Sequence, residues 1–239
     1  MSLVDISVVV PVLDEEGNPT PLIAEIAAAM ESTGHGYEVI FVDDGSSDGS
    51  LAEIEELERS HAVVRVGRHA SRCGQSAGLA TGFRMSSGRI IVTMDGDRQN
   101  DPADIPRLVE ALEDDVACVC GVRGSRQDDL VKRLSSKVAN WFRNLVTGDR
   151  IRDAGCCYRA IRRDAIAELP VFDGMHRFLP TILRAQGYRV EEITVGHRPR
   201  TVGQTKYGVG DRLWRGIRDC FAIRWYRARA IEGARLTHE

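Results

Sequence analysis

Two carboxylates one residue apart, Asp95 and Asp97 with Gly96 between them, close the run Arg89-Ile90-Ile91-Val92-Thr93-Met94. An apolar, β-branched run that stops abruptly at acidic residues reads as a buried strand whose C-terminal end opens into a cleft, where open α/β sheets take ligands. A bend at Gly96 can turn both carboxylates toward one divalent cation that also holds a diphosphate. Hard oxygen donors suit Mg²⁺ or Mn²⁺. Asp-Gly is also ordinary turn chemistry, so the tripeptide alone is equally a solvated turn after a strand.

The elements that must position this turn repeat its plan. Ile6 to Leu13 is a β-rich run closed by Asp14-Glu15-Glu16-Gly17-Asn18-Pro19, after which Leu22, Ile23, Ile26, Ala27 and Met30 recur at helical spacing. That first turn lacks GxGxxG, which argues against a nicotinamide or flavin dinucleotide. Tyr37 to Val42 delivers Asp43, Asp44 and Asp48 in the same way, with Ser47 or Asp48 placed to cap a helix through Leu51, Ile54 and Leu57. Such carboxylates can accept hydrogen bonds from a nucleobase and ribose, or serve only as turn and cap residues. A third strand, Ala62 to Val66, leads past Arg68 and Arg72, each a phosphate contact or a solvated charge. Arg68 to Phe83 reads as a polar loop and then a small-residue helix, whose glycines and alanines permit close packing on the sheet. After the Asp-Gly-Asp element, Asp101 at the N-cap and Pro102 at the first helical position start a helix through Ile105, Leu108, Val109 and Leu112. A fifth strand spans Val116 to Val122. These strand–helix alternations predict an α/β fold with a mostly parallel sheet and helices on both faces.

The second half changes character. An amphipathic helix is expected over Leu130 to Thr147, with Lys132, Arg133, Lys137 and Arg143 beside Leu134, Val138, Trp141, Phe142 and Leu145. Arg and Ser near its start can bind a phosphate; a solvated basic face is the plainer reading. Asp153 to Ile161 reads as a short strand, Arg177 to Gln186 as a helix and Tyr188 to Val195 as a strand. His197 to Gly208 is a cationic, glycine-containing loop able to fold over a diphosphate. From Asp211 to Ala230, Leu213, Trp214, Ile217, Cys220, Phe221 and Trp225 share one helical face flanked by arginines. That is the pattern of an interfacial membrane helix, and equally of a helix docked on the domain.

The chain of 239 residues, 43% hydrophobic and 28% charged, fits one α/β domain or a domain plus tail, and its net charge of −3 makes no global case for nucleic acid. The six cysteines form neither a CxxC pair nor a disulfide framework, and no secretory leader precedes Asp5. Reduced thiols in a cytoplasmic protein are expected, with Cys118 and Cys120 sharing one face of a strand as core. No apolar run approaches the ~20 residues that span a bilayer.

Seven motifs in order carry a resemblance: VVVPVLDEEGN (8–18), VDDGSSDGS (42–50), GQSAGLATGF (74–83), MDGDRQNDP (94–102), SSKVAN (135–140), DAGCCYRAIRR (153–163) and HRPRTVGQTKYG (197–208). The chain resembles the family-2 glycosyltransferases of GT-A fold, specifically the polyprenyl-phosphate (dolichol-phosphate mannose synthase-like) branch. The resemblance implies a GT-A domain over 1–210 followed by a basic amphipathic helix and tail over 211–239. It implies that Pro11, Asp14, Glu16, Asp43 and Asp44 line the nucleotide pocket. Asp95 and Asp97 would hold Mg²⁺ or Mn²⁺ with Gln99 nearby, Arg200 and Lys206 would close on the diphosphate, and Arg126, Lys132, Arg133 and Ser136 would receive the acceptor phosphate. Asp14 stands where Asn is commoner and Arg98 where Leu is commoner; neither removes a metal ligand, and both bear on donor choice.

The implied reaction is attack by a polyprenyl monophosphate oxygen on the anomeric carbon of a UDP- or GDP-sugar, with inversion, by a protein peripheral to the inner membrane face. The Trp214 to Arg229 segment or a separate membrane subunit would supply the membrane contact. An acceptor already anionic near neutral pH requires no strong general base. A hydroxyl acceptor would require one, and only Asp101, Asp128 and Asp129 are candidates beyond Asp97. A nucleotide-sugar-binding subunit without turnover is the alternative from a different class.

Overall fold

Short runs of Val and Ile set the architecture. In β1 (Ile6–Val12), Ile6, Val8, Val10 and Val12 point to one core and Val9 to the other, and all are buried. A strand covered on both faces is mostly apolar, which is why no polar alternation marks it; its one polar side chain, Ser7, is buried with its hydroxyl donating to Glu38. The computed structural model describes residues 4–124, 130–199 and 209–230, with side chains throughout except at 130–137 and 209–215. Its seven-stranded sheet adds β2 (Tyr37–Asp43), β3 (Val64–Arg68), β4 (Ile90–Thr93), β5 (Val116–Arg123), β6 (Arg159–Arg162) and β7 (Arg189–Val195) in the spatial order β3-β2-β1-β4-β6-β5-β7. Every pairing among these strands is parallel except those of β6, which runs antiparallel between β4 and β5.

Helices α1 (Pro19–Glu31), α2 (Ser50–Ser60) and α4 (Ile105–Glu110) cover one face; α3 (Gln75–Met85), α6 (Met175–Ala185) and α7 (Val209–Arg229) cover the other. The small residues of α3 do what their size suggests. A Cβ added at Gly82 would lie 2.2 Å from Val9 Cγ1, and one at Gly78 would lie 3.1 Å from Pro11 Cβ, so α3 sits closer to β1 than any larger residue allows. Cys118 and Cys120 are buried in this second core.

Helix α5 (Leu130–Thr147) packs on α7. Arg227 Nη1 donates to the Thr147 carbonyl at 2.5 Å and Arg224 Nη1 to the Val146 carbonyl, so arginines of α7 satisfy carbonyls that the end of α5 leaves open. α7 has two unlike faces. Cys220 and Ile223 are buried in the core shared with α6, while Phe221 and Trp225 are exposed, as are Val138, Trp141 and Leu145 of α5. Among the described residues no helix is long and apolar enough to cross a membrane.

Three local expectations are corrected. The strand expected over 153–161 is confined to Arg159–Arg162, because the Asp153 carboxylate takes Arg123 and the chain turns at Cys156, whose N–H donates to the Asp153 carbonyl. The helix after β4 starts as a 3-10 turn, Pro102–Asp104, capped as expected by Asp101, which accepts from the Ala103 N–H. Gly49 occupies the N-cap of α2, although Asp48 Oδ1 still accepts from the Ser50 N–H at 3.0 Å.

Candidate active site

Parallel pairing of β1, β2 and β4 brings the turns that follow them to one edge. The turn after β4 is closed by its own side chains: Asp95 N–H donates to Asn100 Oδ1 at 3.1 Å and Gln99 N–H to Asp97 Oδ1 at 3.1 Å. Arg98 adopts φ +59°, a left-handed conformation uncommon outside glycine. Gly96 is buried, and a Cβ there would stand 3.3 Å from the Pro11 carbonyl, so the turn abuts β1.

Asp95 Oδ1 accepts a 2.7 Å hydrogen bond from Gln75 Nε2 at the start of α3. Burial and then the charge of Asp97 push the Asp95 carboxyl up to about 6, while Arg123, Arg159 and the Gln75 bond pull the other way. A buried carboxylate whose ionisation is opposed by a neighbouring one fits a hard divalent cation, which would relieve that cost.

The acidic residues after β1 and β2 hold one another's loops. Asp14, at φ +45°, accepts from Ser47 N–H at 2.7 Å while its own N–H donates to Ser46 Oγ. Asp, like Asn, tolerates this left-handed geometry better than most residues. Glu16 Oε2 accepts from Gly49 N–H, and buried Asp43 accepts from Gly45 and Ser46 N–H. Asp44 faces the loop after β3, accepting from the N–H groups of Cys73 and Gly74 and pairing with His69 Nδ1 at 2.8 Å. Asp44, His69 and Cys73 could also offer ligand atoms within 4.8 Å of one another to a metal ion.

Pro11, Asp14, Glu16, Asp43, Asp44, Asp95, Asp97 and Gln99 all lie in the turns or strand ends of this edge. Arg126, Arg200 and Lys206 fall outside the described residues, as do the side chains of Lys132, Arg133 and Ser136, whose backbone lies in α5. Several neighbours were not foreseen. Gln75 and Asn100 fix Asp95. Arg123 is held by Asp153 through a bidentate pair at 2.7 and 2.8 Å. Arg159, 1% exposed, donates to the His176 carbonyl, with Nε and Nη2 lacking hydrogen-bond partners among the described residues. The only signal for Arg123 was its position at the C-terminal end of an apolar strand; Arg159 lies within β6 and gave none.

A mostly parallel sheet flanked by helices, with Asp-Gly-Asp beside the acidic ends of β1 and β2, defines the GT-A class of sugar-nucleotide transferases. Residues 7–169 match the family described as Glycosyl transferase family 2, and the chain belongs to that family. It is 36% identical over 227 residues to a dodecaprenyl-phosphate galacturonate synthase of Rhizobium johnstonii, covering 93% of this chain and 67% of the relative. It is 36% identical over 205 residues to an undecaprenyl-phosphate 4-deoxy-4-formamido-L-arabinose transferase of Aeromonas hydrophila, covering 85% of this chain and 63% of that protein. The chain thus spans about two thirds of the length of these relatives. Among solved structures, glucosyl-3-phosphoglycerate synthase from Mycobacterium tuberculosis superposes with TM-score 0.70 at 22% identity, covering 96% of this chain and 81% of that one. That enzyme has also been crystallised with Mn²⁺, UDP and glucosyl-3-phosphoglycerate.

Proposed function

We propose that this glycosyltransferase moves a sugar from a UDP- or GDP-sugar to a polyprenyl monophosphate, with inversion, at the cytoplasmic face of a membrane. The observation that carries the proposal is that two relatives at 36% identity are both named for polyprenyl-phosphate sugar transfer. In this reading residues 1–210 form the catalytic domain and 211–239 a basic helix and tail. Asp95 and Asp97 hold Mg²⁺ or Mn²⁺, which when bound neutralises charge on the departing diphosphate. Pro11, Asp14, Glu16, Asp43 and Asp44 bound the nucleotide pocket, with Asp44 acting through the loop it organises. Gln99 stands beside the cation turn; Arg200 and Lys206 serve the diphosphate, and Arg126, Lys132, Arg133 and Ser136 the acceptor phosphate.

Asp128 and Asp129 fall outside the described residues; the engagement of Asp101 favours a phosphate acceptor. Asp101, the described candidate for a base toward a hydroxyl, is bonded to Arg198 at 2.7 Å and caps Ala103. Attack by a phosphate oxygen needs no proton removed, so the work left to the protein is bringing two anions together and stabilising the leaving group. Membrane contact is assigned to the packed pair α5 and α7, which leave Trp141 and Trp225 exposed and of which α7 is rich in arginine.

The test is nucleoside diphosphate release from a panel of UDP- and GDP-sugars with Mg²⁺ or Mn²⁺, with and without a short polyprenyl phosphate. Release that requires the lipid phosphate is expected, and Asp97→Ala should lower its rate by at least ~100-fold. Release indifferent to lipid would point to a hydroxyl acceptor. Donor binding without release under any condition would point to a non-catalytic subunit.

A further inference from the structure

One carboxylate of α1 reaches two arginines that lie far apart in the sequence. Glu25 Oε1 accepts from Arg98 Nη2 at 2.5 Å, and Glu25 Oε2 accepts from Arg198 Nη1 at 2.5 Å. Arg198 Nη2 continues to Asp101 Oδ1 at 2.7 Å. The cluster is therefore charge-balanced, two acids against two guanidinium groups, and it joins α1, the turn after β4, the 3-10 turn and the exit of β7.

Backbone contacts run parallel to it. Asn100 and His197 form an isolated antiparallel bridge, Arg198 N–H donates to the Gln99 carbonyl at 2.8 Å, and Gln99 Nε2 approaches the Arg198 carbonyl at 3.4 Å. Arg98 itself stands directly after Asp97 in the left-handed conformation, with its Nε buried and lacking a hydrogen-bond partner among the described residues. A side chain that accepts both an unusual φ and a buried nitrogen for one ion pair is held there by that pair. Leucine here could pack but could not reach Glu25 with a donor.

We propose that Glu25 and Arg98 are positioning residues: their pair, shared with Arg198, sets the aim of Asp97 by pinning the cation turn between α1 and the exit of β7. This rests on the reading that Asp95 and Asp97 hold a divalent cation. A plain surface ion pair would affect stability slightly and the cation not at all. Simple field effects would also differ, since removing Glu25 weakens cation binding and removing Arg98 strengthens it. Only positioning predicts that removing both, at no change in net charge, still weakens it.

The experiment is a Mn²⁺ titration of the full chain without donor or acceptor, read by the electron paramagnetic resonance signal of free Mn²⁺, alongside the thermal midpoint of each variant. Glu25→Gln/Arg98→Leu is expected to raise the Mn²⁺ Kd about tenfold, the low end for loss of groups that orient metal ligands. Glu25→Asp, which keeps the charge but shortens the reach, should move Kd in the same direction with an unchanged fold, and stands in if the double variant does not fold. A parental Kd in both variants, whatever the midpoint does, overturns the proposal. Asp97→Ala separates the two layers. If it abolishes Mn²⁺ binding while the Glu25 variants bind normally, only the positioning role falls. If Asp97→Ala binds Mn²⁺ like the parent, the cation reading falls and takes this inference with it.

Discussion

Replacing Gly82 by Ala tests the closeness of α3 to the sheet, and the sign of the effect decides. In an unconstrained helix interior, Gly→Ala stabilises by about 1 kcal/mol. Here the new Cβ would sit 2.2 Å from Val9 Cγ1 and 3.2 Å from Val9 Cβ, where ordinary contact begins near 3.4 Å. Val9 is buried in β1 and cannot turn into solvent, so α3 or the strand must shift by an ångström or more. Overpacking of that kind costs about 1–3 kcal/mol, and so deep an overlap belongs at the upper end. The net expectation is a loss of about 2 kcal/mol, or roughly 4–8 °C in thermal midpoint for a chain of this size. Because α3 also carries Gln75, whose amide holds Asp95, catalytic rate should fall with stability. Differential scanning calorimetry of Gly82→Ala, Val9→Ala and the double variant is the assay. Val9→Ala creates a small cavity alone but should make room for the methyl group added on α3, giving a favourable coupling of about 1 kcal/mol or more. A Gly82→Ala protein more stable than its parent, or singles that simply add, would refute the packing geometry.

Other outcomes follow from the same structure. Burial works to raise the pKa of Glu38, but hydrogen bonds from Ser7, Arg65 and Ser87 outweigh it and leave the carboxyl below its ordinary 4.5. Its stabilising contribution is thus present above that value and lost as pH falls through the lowered one, so Glu38→Gln should flatten the acid side of a midpoint-versus-pH curve; identical slopes would contradict this. Asp153→Ala strands the guanidinium of Arg123, whose side chain is only 15% exposed, and should cost about 3 kcal/mol in urea denaturation, with a loss below ~1 kcal/mol counting against a structural pair. Trp141→Ser/Trp225→Ser removes two side chains that are 64% and 65% exposed, so it should leave the fold intact yet weaken flotation with anionic liposomes at least ~10-fold; undiminished binding would remove α5 and α7 from the membrane face.

Much of this was legible in the residues, for identifiable reasons. β1, β2, β4 and β5 are mostly apolar because both faces of each are covered, with Ser7 and Glu38 buried as a hydrogen-bonded pair, and each ends near where charged residues begin. α3 announced its close packing through Gly78 and Gly82. What escaped was set by partners far away in the chain. Asp153 reads as the edge of a strand until Arg123 is seen to take it. Glu25 reads as an ordinary polar position on an amphipathic helix, and nothing in its neighbourhood signals that residues 98 and 198 converge on it. Gln75 and Asn100 are uncharged and aperiodic, so neither composition nor spacing marked them. The cleft edge was thus readable from strand ends, whereas the groups that aim its carboxylates were not.

The antiparallel strand between β4 and β5 has a consequence for how the chain is made. β1, β2, β3 and β4 can pair in the order they leave the ribosome, but β4 then presents the unpaired backbone of Ile90-Ile91-Val92-Thr93 until Arg159–Arg162 emerges to cover it. During that interval the half-built sheet has a short, apolar and adhesive rim. The stitch that covers this rim is a long-range one, which ties that step of maturation to closure of the intervening excursion through α5 rather than to the strands themselves. Lengthening that excursion should slow refolding and raise aggregate yield while leaving the finished sheet unchanged, a pattern that light scattering during dilution from urea would register.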